Sequence, residues 1–149
     1  MYEFNYQRPD SVDAAASALG AASDGQLMAG GMTLIPTLKQ RLASPSDVID
    51  LAGVPGLAGI SDDGNNIVVG AMTRHADVAN SDVVKAGIPA LADLAEGIGD
   101  PQVRNRGTIG GSVANADPAA DYPAALVGLG ATVTTNQRSI SADDFFTGM

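Results

Sequence analysis

Two glycine-rich segments hold the residues best suited to binding chemistry: Ala29-Gly30-Gly31-Met32-Thr33 and Thr108-Ile109-Gly110-Gly111-Ser112. The first follows the apolar run Gln26–Ala29 and precedes Leu34, Ile35, Leu38 and Leu42, which share one helical face. A strand-to-helix corner of this kind leaves backbone N–H groups unpaired and pointing outward, and glycine lets a ligand approach the main chain. With the Thr33 hydroxyl as a further donor, the corner suits an anion such as a phosphate or pyrophosphate. The competing reading makes Gly30-Gly31 a simple turn, because short glycine motifs are weak evidence. Neither segment continues into Gly-Lys-Ser/Thr as a P-loop would. No Gly-x-Gly-x-x-Gly with a following acidic residue supports a Rossmann site.

The second segment runs into Val113-Ala114-Asn115-Ala116-Asp117-Pro118-Ala119-Ala120-Asp121-Tyr122-Pro123. Small residues surround Asn115, Asp117 and Asp121, so polar groups project from a backbone against which a flat or extended ligand can lie. A carboxylate near a helix start can accept hydrogen bonds from ribose or polyol hydroxyls. Asp117 serves equally as a helix cap, and Asp121 as a solvated helix carboxylate. His75, in Gly70-Ala71-Met72-Thr73-Arg74-His75, follows a candidate cap and has no evident acid or nucleophile partner, so a helix start is expected rather than catalysis. Arg104 and Arg106, on either side of Asn105, are loop charges, ion-pair partners or docking residues for another subunit.

The elements that must position these residues follow from periodicity and punctuation. Ser11 opens an alanine-rich helix over Val12–Leu19, stopped by Gly20, and a short strand is expected at Gln26–Ala29. A helix over Leu34–Leu42 tolerates Pro36 in its first turn, and Val48–Leu51 reads as a second strand. This alternation favours parallel pairing. Beyond Val54-Pro55-Gly56 the pattern changes. Leu57–Ser61 and Asn66–Val69 read as an antiparallel hairpin around Asp62-Asp63-Gly64-Asn65. Thr73 is expected to cap a helix to Asn80, and Pro89 to open another to Glu96. Gly97–Thr108 reads as loop and Ile109–Ala114 as a glycine-rich strand-to-turn segment. Asp117-Pro118 is expected to start a helix to Leu129. A strand over Ala131–Thr135, a partner at Gln137–Ile140 and a turn capped by Ser141 through Phe146 complete the chain. Two lobes, 1–55 and 56–149, are expected. A capped turn carrying Phe145-Phe146 normally leads into a further element, so a piece of a larger domain or assembly is expected.

Composition narrows the function classes. The chain has 149 residues, of which 45% are hydrophobic and 17% charged, with 18 glycines and 4% aromatics. That is a globular composition whose core relies on small aliphatic side chains and close backbone approach. A formal net charge of −9, with scattered basic residues, argues against a nucleic-acid or anionic-membrane partner. With no cysteine and one histidine, thiolate metal sites, iron–sulfur ligation and disulfides are excluded. No apolar run approaches the ~18 residues of a membrane span and no signal peptide opens the chain, so a cytoplasmic location is expected.

Three stretches together, Ala-Gly-Gly-Met-Thr-Leu-Ile-Pro at 29–36, Gly-Asp-Pro-Gln-Val-Arg-Asn-Arg-Gly-Thr-Ile-Gly-Gly-Ser at 99–112 and Ala-Asn-Ala-Asp-Pro-Ala-Ala-Asp-Tyr-Pro at 114–123, make the chain recognisable. In this order and spacing it resembles the N-terminal part of the FAD-binding (medium) subunit of molybdenum hydroxylases, the xanthine dehydrogenase and aerobic carbon monoxide dehydrogenase type. Phe4 and Arg8-Pro9 before the first helix fit as well. The resemblance implies an α+β fold, the two-lobed FAD-binding domain of the vanillyl-alcohol oxidase (PCMH) type. A small parallel βα lobe precedes a larger mixed or antiparallel one, with a separate C-terminal domain beyond. It further implies FAD as cofactor, with Ala29, Gly30, Gly31, Met32 and Thr33 around the pyrophosphate. Thr108, Ile109, Gly110, Gly111 and Ser112 would form a second wall, Asn115 and Asp121 would contact the cofactor, and Ile98 would lie near the flavin ring.

The implied activity is that of an oxidoreductase subunit. Its partners would be a large subunit with the molybdenum cofactor and a small [2Fe-2S] subunit, and its electrons would go to NAD, a quinone or oxygen. No side chain is then needed as a general acid or base, since the cofactor carries the redox chemistry. A nucleotide-binding module without redox chemistry, or a fragment that no longer binds flavin, are the alternatives at this point.

Overall fold

The computed structural model describes residues 1–147; Gly148 and Met149, with which the second expected lobe closes, lie outside the described residues. The chain begins with β1 (Asn5–Gln7), α1 (Val12–Ala21), β2 (Gly25–Met28), α2 (Leu34–Lys39) and β3 (Asp47–Asp50), followed by a 3-10 turn at Leu51–Gly53. The three strands form a parallel sheet in the order β1-β3-β2. Asn5–Gln7 faces Asp47–Ile49 on one side, and Gly25–Met28 faces Asp47–Asp50 on the other. The parallel pairing expected from the helix–strand alternation is therefore present, with β1 as an additional strand too short and exposed to announce itself.

Helix α1 starts as expected, the Ser11 hydroxyl accepting from Ala14 N–H at 3.2 Å. It does not stop at Gly20, because the Ala22 N–H still reaches Ala18 O. Helix α2 ends at Lys39, three residues before Leu42, which is exposed. Strand β3 is buried throughout. Val48 and Ile49 fill the core, while the carboxylates at its two ends are satisfied locally. Asp47 accepts from Ser46 Oγ at 2.7 Å and Gln7 Nε2 at 3.0 Å, which holds its pKa below the usual carboxylate range. Asp50 accepts from Ala52 N–H and from the Tyr6 hydroxyl, tying the 3-10 turn and β1 to the end of the strand.

The rest of the chain continues with β4 (Ile60–Asp62), β5 (Ile67–Val69), α3 (His75–Asn80), α4 (Asp82–Gly87), α5 (Pro89–Gly97), α6 (Pro101–Arg104), α7 (Ile109–Asn115), α8 (Asp121–Gly128), β6 (Thr132–Thr134), β7 (Ser139–Ser141) and α9 (Ala142–Phe145). β4–β5 and β6–β7 are antiparallel hairpins. Val78, Val84, Leu91, Ala95, Ile109, Val113 and Tyr122 form the second core, with Ile98, Phe145 and Phe146 packed against it. Parallel βα units followed by a mixed antiparallel part give the expected α+β architecture. Among the described residues no helix is long and apolar enough to cross a membrane.

Four sequence expectations are corrected here. Ile109–Asn115 is a helix rather than a strand-to-turn segment, because the Thr108 side chain accepts from Gly111 N–H and stabilises a first turn that two glycines disfavour. Thr73 caps nothing. Its hydroxyl is paired with both the N–H and the C=O of Gly59, and Arg74 occupies the cap position of α3. Asp117 does not start the following helix. It closes a turn by accepting from Ala119 N–H, and α8 opens only at Asp121. The stretch from Gly97 to Thr108 is not all loop, since Asp100 accepts from Val103 N–H and starts the short α6.

Substitution of the sheet centre separates packing from surface effects. Ile49→Ala, at a fully buried position, is expected to cost about 2–5 kcal/mol in denaturant unfolding. Leu27→Ala on the edge strand, 39% exposed, is expected to cost clearly less.

Candidate functional site

The two glycine segments meet. A Cβ built on Gly30 would lie 2.1 Å from Arg106 O and 2.8 Å from Gly107 Cα, so the main chains touch where a side chain would stand. One on Gly111 would meet Ala29 Cβ at 3.3 Å. Gly31 has a different reason to be glycine: its φ of +76° belongs to the left-handed region. This turn swings the chain from β2 into α2.

The segment that carries Thr108 is itself held by residues 71–75. His75 N–H donates to Gly107 O at 3.0 Å, Ile109 N–H to Thr73 O at 3.0 Å, and Gly110 N–H to Ala71 O at 2.8 Å. Gly110 has no room for a Cβ against the Ala71 backbone.

Donor availability differs sharply between the segments. Among the described residues, the N–H groups of Ala29, Gly30, Gly31, Met32 and Thr33 donate to no acceptor within the chain, although the carbonyls of Gly31 and Thr33 accept from Ile35 and Thr37. The Thr33 hydroxyl makes no side-chain cap either. By contrast the N–H groups of Ile109, Gly110, Gly111 and Ser112 are all engaged internally. The first segment therefore offers donors, and the second offers a fixed wall.

Between these segments lies a cavity of about 450 Å³ lined by Ala29, Gly30, Leu51, Ala52, Val54, Ala58, Met72, Arg74, Asp77, Arg106 and Thr108. Part of the wall is aliphatic and part carries charge. Within the chain the Arg8 side chain donates to Ala52 O, and that of Arg104 to Ile98 O and Gly99 O. Among the described residues Arg74 and Arg106 make no such bond. Arg104 is thus a structural clamp on the end of α5, whereas Arg106 belongs to the cavity wall. A run of free main-chain donors beside two unpaired guanidinium groups fits the dianionic pyrophosphate of a dinucleotide, and the aliphatic wall fits a flat ring. The donor set contains only uncharged donors and cations, with Asp77 as the one acid in the wall.

Of the sequence candidates, Ala29, Gly30 and Thr108 line this cavity; Gly31, Met32 and Thr33, and Ile109, Gly110, Gly111 and Ser112, continue the two segments beyond its lining, and the other three lie outside it. Ile98 is half-buried at the end of α5 and packs against the second core. Asn115 is exposed at the end of α7, and Asp121 is exposed at the start of α8. Between them Ala116 holds a left-handed conformation, φ 49°, which is strained for a residue with a Cβ. Ala116 and Pro118 line a second, apolar groove of about 570 Å³ with Pro123, Ala124, Val127, Gly128 and Phe146. Leu51, Ala52, Val54, Ala58, Met72, Arg74 and Asp77 were not marked by any motif. They reach the cavity only through the fold.

His75, the first residue of α3, is buried beside the cavity wall, and burial holds its pKa below the ordinary 6.5 while attraction to Asp121 partly offsets this. The imidazole is therefore neutral at pH 7, and with no nucleophile beside it the residue is structural.

Comparison with known proteins gives a consistent match. Residues 2–149 match the family described as FAD binding domain in molybdopterin dehydrogenase. The chain is 43% identical over 150 residues to the carbon monoxide dehydrogenase medium chain of Hydrogenophaga pseudoflava, an alignment covering 97% of this chain and 52% of that protein. The solved carbon monoxide dehydrogenase from Hydrogenophaga pseudoflava, in a form lacking the Mo-pyranopterin moiety, superimposes with a TM-score of 0.93 at 44% identity, over 98% of this chain and 53% of the other. Quinoline 2-oxidoreductase from Pseudomonas putida 86 gives a TM-score of 0.93 at 37% identity, again over 98% and 53%. The chain spans about half the length of the curated relatives it matches.

Two outcomes test the geometry. Gly30→Ala is expected to lower stability by about 1–3 kcal/mol, since its methyl group meets a backbone that cannot turn aside. Gly20→Ala, in open space on α1, is expected to raise stability by up to about 1 kcal/mol. The pH profile has a defined sign. The unfolded chain binds a proton at His75 that the fold resists, so this contribution is complete above pH 6.5 and is lost as pH falls below it. Thermal unfolding of His75→Gln is expected to lack that loss, while the contributions of Asp47 and Asp63, whose pKa values are lowered, persist until pH falls below 3.8.

Proposed function

Because this chain belongs to the family of FAD-binding domains of molybdopterin dehydrogenases, we propose that it forms the cofactor-holding part of an electron-transferring medium subunit. When bound, FAD would supply the redox chemistry between [2Fe-2S] clusters on a small subunit and NAD, a quinone or oxygen as acceptor, in a complex whose large subunit would carry the molybdenum cofactor. The chain's own residues bind, orient and shield.

The observation that supports this reading best is the run of free N–H groups over residues 29–33, which reaches the cavity at Ala29 and Gly30 beside Arg106 and Thr108. In the proposal Ala29, Gly30, Gly31, Met32 and Thr33 donate to the pyrophosphate, from the main chain and from the Thr33 hydroxyl. Arg74 and Arg106 balance its charge in a chain that is otherwise strongly acidic. Thr108, Ile109, Gly110, Gly111 and Ser112 form the wall that fixes its position. Leu51, Ala52, Val54 and Met72 supply aliphatic surface for a ring. Asn115 and Asp121 are assigned polar contacts to the cofactor, and Ile98 a place near the flavin. The two lobes are taken to divide near residue 55, so that the cavity lies between them. A cytoplasmic location belongs to the same proposal.

Equilibrium titration of the flavin-free chain with FAD and with FMN tests the proposal. FMN lacks the pyrophosphate and the adenosine, so FAD is expected to bind at least about tenfold more tightly, equivalent to roughly 1.4 kcal/mol. Equal affinities would mean that the donors at 29–33 do not serve a pyrophosphate. Saturable binding of ADP with no flavin binding would point instead to a nucleotide module without redox chemistry.

A further inference from the structure

Beneath the cavity wall His75 and Tyr122 form a pair whose polar atoms have no role in the site described above. His75 is 5% exposed and Tyr122 is fully buried; their ring centroids are 5.3 Å apart, with the planes tilted by 38°. The His75 ring is the floor under Gly107, since a Cβ on that residue would stand 2.5 Å from its Nε2. Its main-chain N–H also donates to the Gly107 carbonyl. Tyr122 follows Asp121 in the first turn of α8. The pair therefore connects the segment carrying Arg106 and Thr108 to the helix carrying Asp121.

Among the described residues, the buried side-chain polar atoms without a hydrogen-bond partner are Nδ1 of His75 and the hydroxyl of Tyr122. Both are capable partners. A neutral imidazole nitrogen either donates or accepts, and a phenol does both. Burial keeps the two groups uncharged, the Tyr122 pKa being raised and that of His75 lowered. Buried polar groups in folded proteins are overwhelmingly satisfied, and where no protein group is in reach an internal water with two to four partners does so.

We propose that His75 Nδ1 and the Tyr122 hydroxyl share one internal water, and that this hydrated pair positions Gly107–Thr108 against α8 so that the Arg106–Thr108 wall of the FAD cradle keeps its place. The positioning role rests on the FAD reading given above; the water-linked pair itself does not. His75 and Tyr122 touch no cofactor in this account and act through Thr108 and Asp121.

His75 is the chain's one histidine, so 15N-histidine labelling yields a single pair of imidazole resonances. Tyr122→Phe, which keeps the ring, is expected to shift the Nδ1 resonance and to weaken FAD binding about threefold to tenfold while the chain still unfolds cooperatively. His75→Gln, which retains a polar group, is expected to hold FAD within about threefold of the parent, and His75→Leu to lose about tenfold. Unchanged imidazole resonances in Tyr122→Phe would overturn the pair. A resonance shift with unchanged FAD affinity would overturn its positioning role. Should the parent chain bind no FAD while its Nδ1 still responds to Tyr122→Phe, the FAD reading fails and the water-linked pair stands.

Discussion

The contact between the Gly30 main chain and the Arg106–Gly107 peptide is the constraint on which the site depends. Only a residue without a side chain can bring these backbones together, because the nearest carbonyl oxygen occupies the place of a Cβ. Once they meet, Ala29 stands beside Gly111, and the wall formed by Arg106 and Thr108 faces the corner between β2 and α2. The contact would be loose if residues 107–110 could swing. Three main-chain hydrogen bonds to residues 71–75 and the imidazole under Gly107 prevent that. The chain's high glycine content is thus concentrated in effect at a few positions where backbones must approach.

The same constraint divides the work between the two glycine segments. Residues 109–112 spend their N–H groups on the fold, through the Thr108 cap and the bonds to Thr73 and Ala71. Residues 29–33 keep theirs unpaired. On the proposed reading, a chain with a net charge of −9 holds a dianion because oriented peptide dipoles, fixed before the ligand arrives, need no reorganisation on binding. Two guanidinium groups without partners in the chain add to the field at the cavity wall, where Asp77 is the opposing charge.

Much of this was legible in the residues. The alternation of apolar runs with capped helical stretches pointed to parallel strands, and the glycine motifs marked both segments that meet at the cavity. What escaped reading was decided by partners distant in sequence. Ile109–Asn115 looks too rich in glycine for a helix, yet packing of Ile109 and Val113 in the core and the Thr108 cap override that weak preference. Thr73 has the composition of a cap, but Gly59, fourteen residues earlier, claims its hydroxyl. Asp117 spends its carboxylate on a turn instead of on α8. Strand β1 has three exposed residues and exists because β3 offers it an edge. Arg74 occupies the cap position of α3 and Asp77 its first turn, and their presence in the cavity wall follows from the pairing of residues 71–75 with 107–110. Arg104 and Arg106, alike in sequence, take different roles because only one has carbonyls within reach.

In the proposed function a pyrophosphate is held by main-chain donors of residues 29–33 against a wall whose own donors are already used. Residue-resolved amide hydrogen exchange with and without saturating FAD tests it most directly. Exchange at Ala29, Gly30, Gly31, Met32 and Thr33 is expected to slow by about tenfold or more when FAD binds. Ile109, Gly110, Gly111 and Ser112, protected beforehand, are expected to change little. Unaltered exchange across residues 29–33 in the FAD-saturated chain, with new protection confined to another segment, would contradict it.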